Sequence, residues 1–407
     1  MTDADPIVLI SSFPPRTDSV ASFCEEALAF IRKHNPDRPV VVISHAGSRG
    51  EGILPLIDTS HRKWWKPVAA RIEELKPHVI HVQHDPGLYE HVDSEGASDE
   101  QRGFIELLEA IRHWPLIVEP HTIHSRMLDA EADFLYKLCH LADVVLFKCH
   151  YQKWRIEWTF PSLGRRVPAN IMIVPHGARP DRRYGVHEVP QLRHDLGLDQ
   201  VPNLAGHLVG LIGWIQSRRR WDILTSMWEE IGREIQQRTG QRWDLLAGGA
   251  VNEADADEYE RYRGDIRQLE RKGLAHYYEF TPQGDAFYKM LGVCDFIVRP
   301  STDETQSHTL ARIIALNKPF ITSAPMEGLT AQTIESGGGL LFTNQQMLRE
   351  AVIRLACDEG LRLRLGNQLK SYLDEVVSWD LVASTYNHVY DLARQAKQAG
   401  TLVSLPA

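Results

Sequence analysis

The sequence predicts an α/β protein of two doubly wound domains, and three observations carry that expectation. Short runs that are almost wholly apolar alternate with amphipathic helical patterns, the signature of parallel strands buried between layers of helices. The alternation breaks once, at 178–206, in a stretch rich in Pro, Gly and charge, and then restarts. Finally, 407 residues of 43% hydrophobic composition suit two domains of about 180–200 residues, each with a full core.

In chain order, PIVLISS (6–12) reads as a strand and 20–34 as an amphipathic helix, followed by the strand PVVVIS (39–44). A helix at 63–76 leads to HVIHVQH (78–84), and a helix at 100–113 to PLIVEPH (115–121). The helix 129–141, the strand DVVLFKC (143–149), a helix at 151–158 and NIMIVPHG (170–177) complete the first half. Residues 183–206 are expected to link the domains, with a short helix at RHDLGL. The second alternation runs HLVGLIGWI (207–215), a helix at 220–236, WDLLAGG (243–249), a helix at 253–271, HYYEFT (276–281) and a helix at 284–291. Then come FIV (296–298), a helix from Ser307 to Asn317, FIT (320–322), GGLLFT (338–343), two helices over 347–376 and a last helix at 380–398. Expected domains are therefore 1–182, a linker 183–206, 207–379, and a terminal segment 380–407.

Composition excludes several classes. A net charge of −9 argues against a general nucleic-acid surface. No run of 18 apolar residues exists to cross a bilayer, and the acidic start MTDADPIVLISS is no secretory leader. Five scattered cysteines without a CxxC pair suit reduced thiols in the cytoplasm, with no zinc site or disulfide. The basic segment HRKWWKPVAARIEELK (61–76) reads as a packing helix, with contact to an anionic membrane as the less favoured alternative.

The most informative block is GVCDFIVRPSTDETQSHTLARIIALNKPFITS (292–323). It reads as strand, acidic loop, helix, strand. The loop holding Asp303 and Glu304 then lies at the carboxyl end of a parallel strand, where open α/β sheets bind ligands. The helix opening at Ser307 turns unpaired N–H groups and its dipole toward that point, which favours phosphate. The block resembles the donor-sugar motif P-S-x-x-E-G…E-A…G-x-P of retaining nucleotide-sugar glycosyltransferases of family 4, which have the GT-B fold. Pro300, Ser301, Glu304, Ala315 and Pro319 keep their places, while Arg312 stands where the second acidic residue is usual.

Other segments extend the resemblance. VGLIGWIQSRRRWDIL (209–224) is similar to the family's G-F-I-x-x-x-K-G-x-D, with Gly213, Trp214, Ile215 and Asp222 in place and Arg219 at the usual Lys. Arg218 and Arg220 flank it, and the departure of a diphosphate calls for such fixed cations. SSFPPRTDSVASF (11–23) resembles the family's first loop, but with Asp18 and Ser19 at the tip where Gly normally lets the backbone approach the donor. IHVQHDPGLY (80–89) and IVEPHTIHS (117–125) resemble its Q-H-E/D-x-G and L-H-T segments, bringing in His84, Asp85 and His121; His124 matches less well.

The resemblance implies two Rossmann-like domains facing a cleft, with the terminal helix crossing back to the first. It implies a retaining glycosyltransferase moving sugar from a nucleotide-diphosphate donor to a hydroxyl acceptor (small molecule, glycan or lipid), without metal or further cofactor. Glu304, His121 and Arg219 would carry the reaction. Gly213, Arg218, Arg220, Phe280, Thr281, Thr305, Gln306, Ser307, His308, Thr309 and Arg312 would line the donor site; Ser19, Asp18, His84 and Asp85 would serve the acceptor or first loop. A nucleotide-sugar epimerase on the same fold, or a non-catalytic sugar or nucleotide binder, are the alternatives.

Overall fold

The apolar runs form two parallel sheets. The computed structural model describes residues 4–124, 127–251, 256–302, 307–325 and 327–400, the side chains of 256, 258 and 327 excepted. It divides into Met1–His176 with Trp379–Ala407, and Gly177–Ser378.

The first unit contains β1 (Ile7–Ile10), α1 (Ser19–His34), β2 (Val40–His45), β3 (Ile53–Ile57), α2 (Trp65–Leu75) and β4 (Val79–His84). It continues with α3 (Arg102–Ile111), β5 (Leu116–Pro120), α4 (Asp129–Leu141), β6 (Val144–Phe147), α5 (His150–Ser162) and β7 (Ile171–Ile173). Its strand order is β3-β2-β1-β4-β5-β6-β7, so the chain reverses direction between β1 and β4. Strand β3 is absent from the sequence reading because Pro55 interrupts its five residues. An edge position tolerates that proline, since one side of an edge strand needs no N–H donor.

The second unit holds α6 (Val189–Asp195), β8 (His207–Ile212), α7 (Asp222–Thr225), α8 (Trp228–Thr239), β9 (Trp243–Gly249), α9 (Ala256–Arg271), β10 (Ala275–Glu279) and α10 (Gly284–Gly292). After these come β11 (Phe296–Arg299), α11 (His308–Ala315), β12 (Phe320–Ser323), α12 (Glu327–Ser336), β13 (Gly339–Phe342), α13 (Gln345–Cys357) and α14 (Glu359–Tyr372). The order β10-β9-β8-β11-β12-β13 reverses between β8 and β11. Ligands bind beside the carboxyl ends of strands at such reversal points. Both candidate loops of this unit, after β8 and after β11, lie there.

Residues 183–206 are not a free linker. Helix α6 occupies 189–195, and Leu192, Leu196 and Leu198 are buried with Phe287, Leu291 and Leu310 in the second unit's core. Pro, Gly and charge in this stretch mark tight turns between short helices rather than an open connector. Helix α15 (Trp379–Ala399) belongs to the first unit, burying Trp379, Val382, Tyr386, Val389, Tyr390 and Ala393 against Phe23, Ala27 and Ile31 of α1. Helix α12 escapes a periodicity reading because its buried face, Leu329 apart, is polar. Gln332, Thr333 and Ser336 are buried while Ile334 is exposed.

The segment 61–76 packs rather than presenting its tryptophans outward. Trp64 is buried and stacks on Tyr89 at 5.7 Å, and Val68 and Ile72 face the core. Among the described residues, no helix is long and apolar enough to cross a membrane.

Candidate active site

The reversal point of the second sheet gathers the loop after β8 and the loop after β11. Gly213 leaves β8 at φ +140, and its carbonyl oxygen lies 1.9 Å from where a Cβ on Gly249 would stand. Any side chain at 249 would therefore displace this turn, and Gly213 itself uses a backbone region that L-residues avoid. A single turn, Ser217–Arg219, follows. Tyr262 donates its hydroxyl to the Ser217 carbonyl at 3.1 Å. Thr302 donates its backbone N–H to the Arg218 carbonyl at 2.8 Å, tying the two loops together.

The three arginines of this loop part company. Arg219 is buried, with Nη1 3.5 Å from Ser301 Oγ. Arg218 is exposed and bonds Gln216, while Arg220 pairs with Asp222 at 3.1 Å. A second buried cation stands on the neighbouring strand. Arg299, at the end of β11, puts Nη1 3.3 Å from the Ile212 carbonyl and Nη2 3.5 Å from Ser307 Oγ. Sequence reasoning missed it; its one signal was a charge closing the buried run FIV.

Ser307 caps α11, its hydroxyl accepting from Leu310 N–H at 3.3 Å. Gln332 of α12 accepts from the Ser307 N–H at 3.1 Å. The apolar face of α11 (Leu310, Ile313, Ile314) packs into the core as its spacing requires. The other face is not solvated either. His308 is buried, and Arg312 is buried with its guanidinium over the rings of Phe287 and Tyr288, at 5.1 and 5.7 Å. Phe287 also lies 6.0 Å from Phe280, so Arg312 and Phe280 share one aromatic neighbour. Thr309 is half-buried and Thr281 exposed. Glu304, Thr305 and Gln306 lie outside the described residues.

In the first unit, the reversal point brings together the loops after β1 and β4. Asp18 caps α1, accepting from Ala21 N–H at 2.7 Å and from the Ser12 hydroxyl at 2.6 Å. Ser19 is exposed as the first residue of that helix, so an ordinary helical backbone stands where a glycine tip was the family expectation. Asp85 accepts from the Thr122 hydroxyl at 2.7 Å. His121 is buried, 4.6 Å edge-on from Phe23 and 5.8 Å from the His176 ring. His124 meets Glu131 at 3.1 Å.

His84 has a packing role. It is 2% exposed, bonded to Gln101, and surrounded by Phe104, Phe134 and Tyr89 at 4.7, 5.1 and 6.0 Å. Burial pushes its imidazole down to about 4, against the opposing bond to Gln101. Because the folded value lies below the unfolded one, stability is complete above about pH 6.5 and is lost as pH falls toward 4. At 1.36 kcal/mol per unit the loss is roughly 3 kcal/mol. Urea unfolding at pH 7.5 and 4.5 checks it: His84→Gln should shrink the acid loss, and an unchanged loss would assign it to other groups. An open hollow of about 940 Å³ borders the same cluster, lined by Arg62, His91, Asp99, Arg102, Glu106 and Phe134 among others.

The largest surprise lies beneath His121. Glu119, fully buried in β5, receives Lys148 Nζ and the Tyr386 hydroxyl (2.7 Å) on Oε1. Its Oε2 lies 3.3 Å from His81 Nε2 and 3.8 Å from His121 Nε2. Burial alone would push the Glu119 carboxyl up, but the Lys148 ammonium and then His81 outweigh it and hold it well below the usual range.

No family model matches the chain, and no curated protein matches it in sequence. Solved structures do. HepE of Anabaena, in a complex with UDP, superposes with a TM-score of 0.68 at 13% identity, over 95% of this chain and 99% of that one. The sucrose-phosphate synthase of Thermosynechococcus elongatus gives 0.69 at 15% identity, over 97% and 100%. WaaG, a glycosyltransferase involved in lipopolysaccharide biosynthesis, gives 0.61 at 11%, over 97% and 99%. Identities this low speak to architecture, and both sheets with their reversal points agree: the chain has the GT-B fold.

Proposed function

We propose that the protein is a glycosyltransferase that moves a sugar from a nucleotide-diphosphate donor to a hydroxyl acceptor with retention of configuration. The observation that carries this reading is the pair of buried guanidiniums, Arg219 and Arg299, beside the capped start of α11 at the reversal point of the second sheet. Two fixed cations and a helix terminus are what a departing diphosphate needs. They can balance that charge without a metal ion. UDP is the first nucleotide to test, because HepE binds it on the same fold.

In this reading Glu304 orients the donor sugar, and the first unit supplies His121 and the Ser19 loop to the acceptor. Arg312 cannot hold ribose hydroxyls as a carboxylate would, since a guanidinium only donates. Its guanidinium is seated over Phe287 and Tyr288, so in this reading Arg312 packs against those rings and other groups hold the ribose. No observation favours the epimerase alternative.

The experiment is a panel of UDP-, GDP-, ADP- and dTDP-sugars, read by melting temperature and nucleotide release, with and without EDTA. One sugar nucleotide should stabilise the protein and turn over with an added acceptor, and EDTA should leave the rate largely intact. Glu304→Ala should lower that rate by about 10²-fold while the melting temperature stays put. Stabilisation without turnover under any acceptor would move the protein to the non-catalytic binders, and strict metal dependence would contradict the charge argument.

A further inference from the structure

We propose that α5 carries a docking ridge for an anionic lipid surface, formed by Trp154 and Trp158 and rimmed by the cations of residues 153–166. The inference stands apart from the reaction proposed above, because neither tryptophan belongs to the donor or acceptor residues.

Helix α5 is apolar on two opposite sides. Gln152, Ile156 and Phe160 are buried, each four residues from the next and so on one stripe. Ile156 and Phe160 enter the first unit's core. At 3.6 residues per turn, positions two before and two after Ile156 fall about 160° away from it. Trp154 and Trp158 therefore stand opposite the buried stripe, where a surface helix ordinarily carries polar residues. They are 46% and 63% exposed. A single exposed apolar side chain needs no explanation, but these are contiguous. Their rings lie 5.7 Å apart, and Tyr151 is 5.4 Å from Trp154. Leu163, just past the helix end, is exposed too, so the ridge runs the length of α5.

Charge around the ridge opposes that of the whole chain. The protein carries −9, yet residues 150–166 hold four cations, Lys153, Arg155, Arg165 and Arg166, to one carboxylate, Glu157. Arg155 lies over the rings of Tyr151 and Trp154 at 5.4 and 5.9 Å. Lys153 meets Glu157 at 3.9 Å, and Arg166 is exposed. Arg165 is bound to Asp133 of α4, which leaves the rim basic even with that carboxylate counted.

Area and geometry select the occupant. At roughly 250 Å² for a whole tryptophan, the two rings offer about 270 Å². A stable interface with a second copy needs about 800 Å² per partner. The indole planes cross at 65°, so they share no flat face on which a sugar ring could stack. An indole has an apolar body and one N–H, which suits the boundary between headgroups and acyl chains. Basic side chains beside it attract anionic headgroups. The sequence drew attention to Trp64 and Trp65 instead, but Trp64 is buried.

The test mixes the full chain with vesicles of phosphatidylcholine alone, or with one-third phosphatidylglycerol, and reads bound protein by flotation. Wild type should float with the anionic vesicles, and less so in about 0.5 M salt. Trp154→Ser/Trp158→Ser should weaken binding by about 10-fold or more, and Arg166→Gln by about 5-fold. Both variants should melt close to wild type, since the altered side chains are exposed. Brominated lipid should quench part of the wild-type tryptophan emission, and the double variant should lose that quenched part. Equal flotation with neutral vesicles, or undiminished flotation of the double variant, would overturn the proposal. So would an absence of flotation; a doubled mass in solution that the double variant abolishes would then assign the ridge to a second copy.

Discussion

Lys148→Met is expected to destabilise the first unit by about 3–5 kcal/mol, the usual cost of breaking a buried ion pair from one side. Both Lys148 and Glu119 have side chains with no solvent exposure, so the stranded carboxylate cannot turn to water. Methionine preserves the length and most of the packing of the lysine stem, which isolates charge from volume. Adding Glu119→Gln to the same chain should recover much of the loss, because burying a neutral amide costs far less than burying an anion. Denaturant-dependent hydrogen exchange at the β5 amides reads this unit by itself. A single-variant loss under about 1 kcal/mol, in the range of surface pairs, would show that the cluster is hydrated and not closed.

Arg219→Ala should lower turnover by about 10²–10³-fold, the effect of removing one fixed group that stabilises charge as it develops. Its affinity for UDP should fall by about 1.5–3 kcal/mol, the worth of a charge-assisted hydrogen bond. The residue is buried beside Ser301, whereas Arg218 is exposed and Arg220 is engaged with Asp222. Arg218→Ala and Arg220→Ala are therefore expected to change calorimetric affinity far less. Equal losses in all three variants would mean a diffuse basic field, and no loss at Arg219 would shift the role to Arg299.

What the sequence made legible follows from what is local. Parallel strands buried on both faces are mostly apolar, so twelve of the runs could be read from neighbours in the chain. Strand β3 hid behind Pro55, which only its edge position in the sheet permits. Helix α12 hid because Gln332 and Thr333 bury polar groups whose partners, Ser307 and Thr322, lie on other elements. Arg219 stood out through a motif, and the aromatic seat of Arg312 could not, since Phe287 and Tyr288 belong to another helix. Glu119 is the extreme case. It lies inside the strand run PLIVEPH as a lone charge to which the sequence reading gave no role, and only His81, Lys148 and Tyr386, drawn from three distant segments, explain it.

The most direct measurement of the central claim is a crystal structure with UDP and no added metal. Diphosphate oxygens are expected within hydrogen-bond reach of the Arg219 guanidinium and of the N–H groups opening α11, beside Arg299. UDP bound only on the first unit, or no binding at millimolar nucleotide, would contradict it.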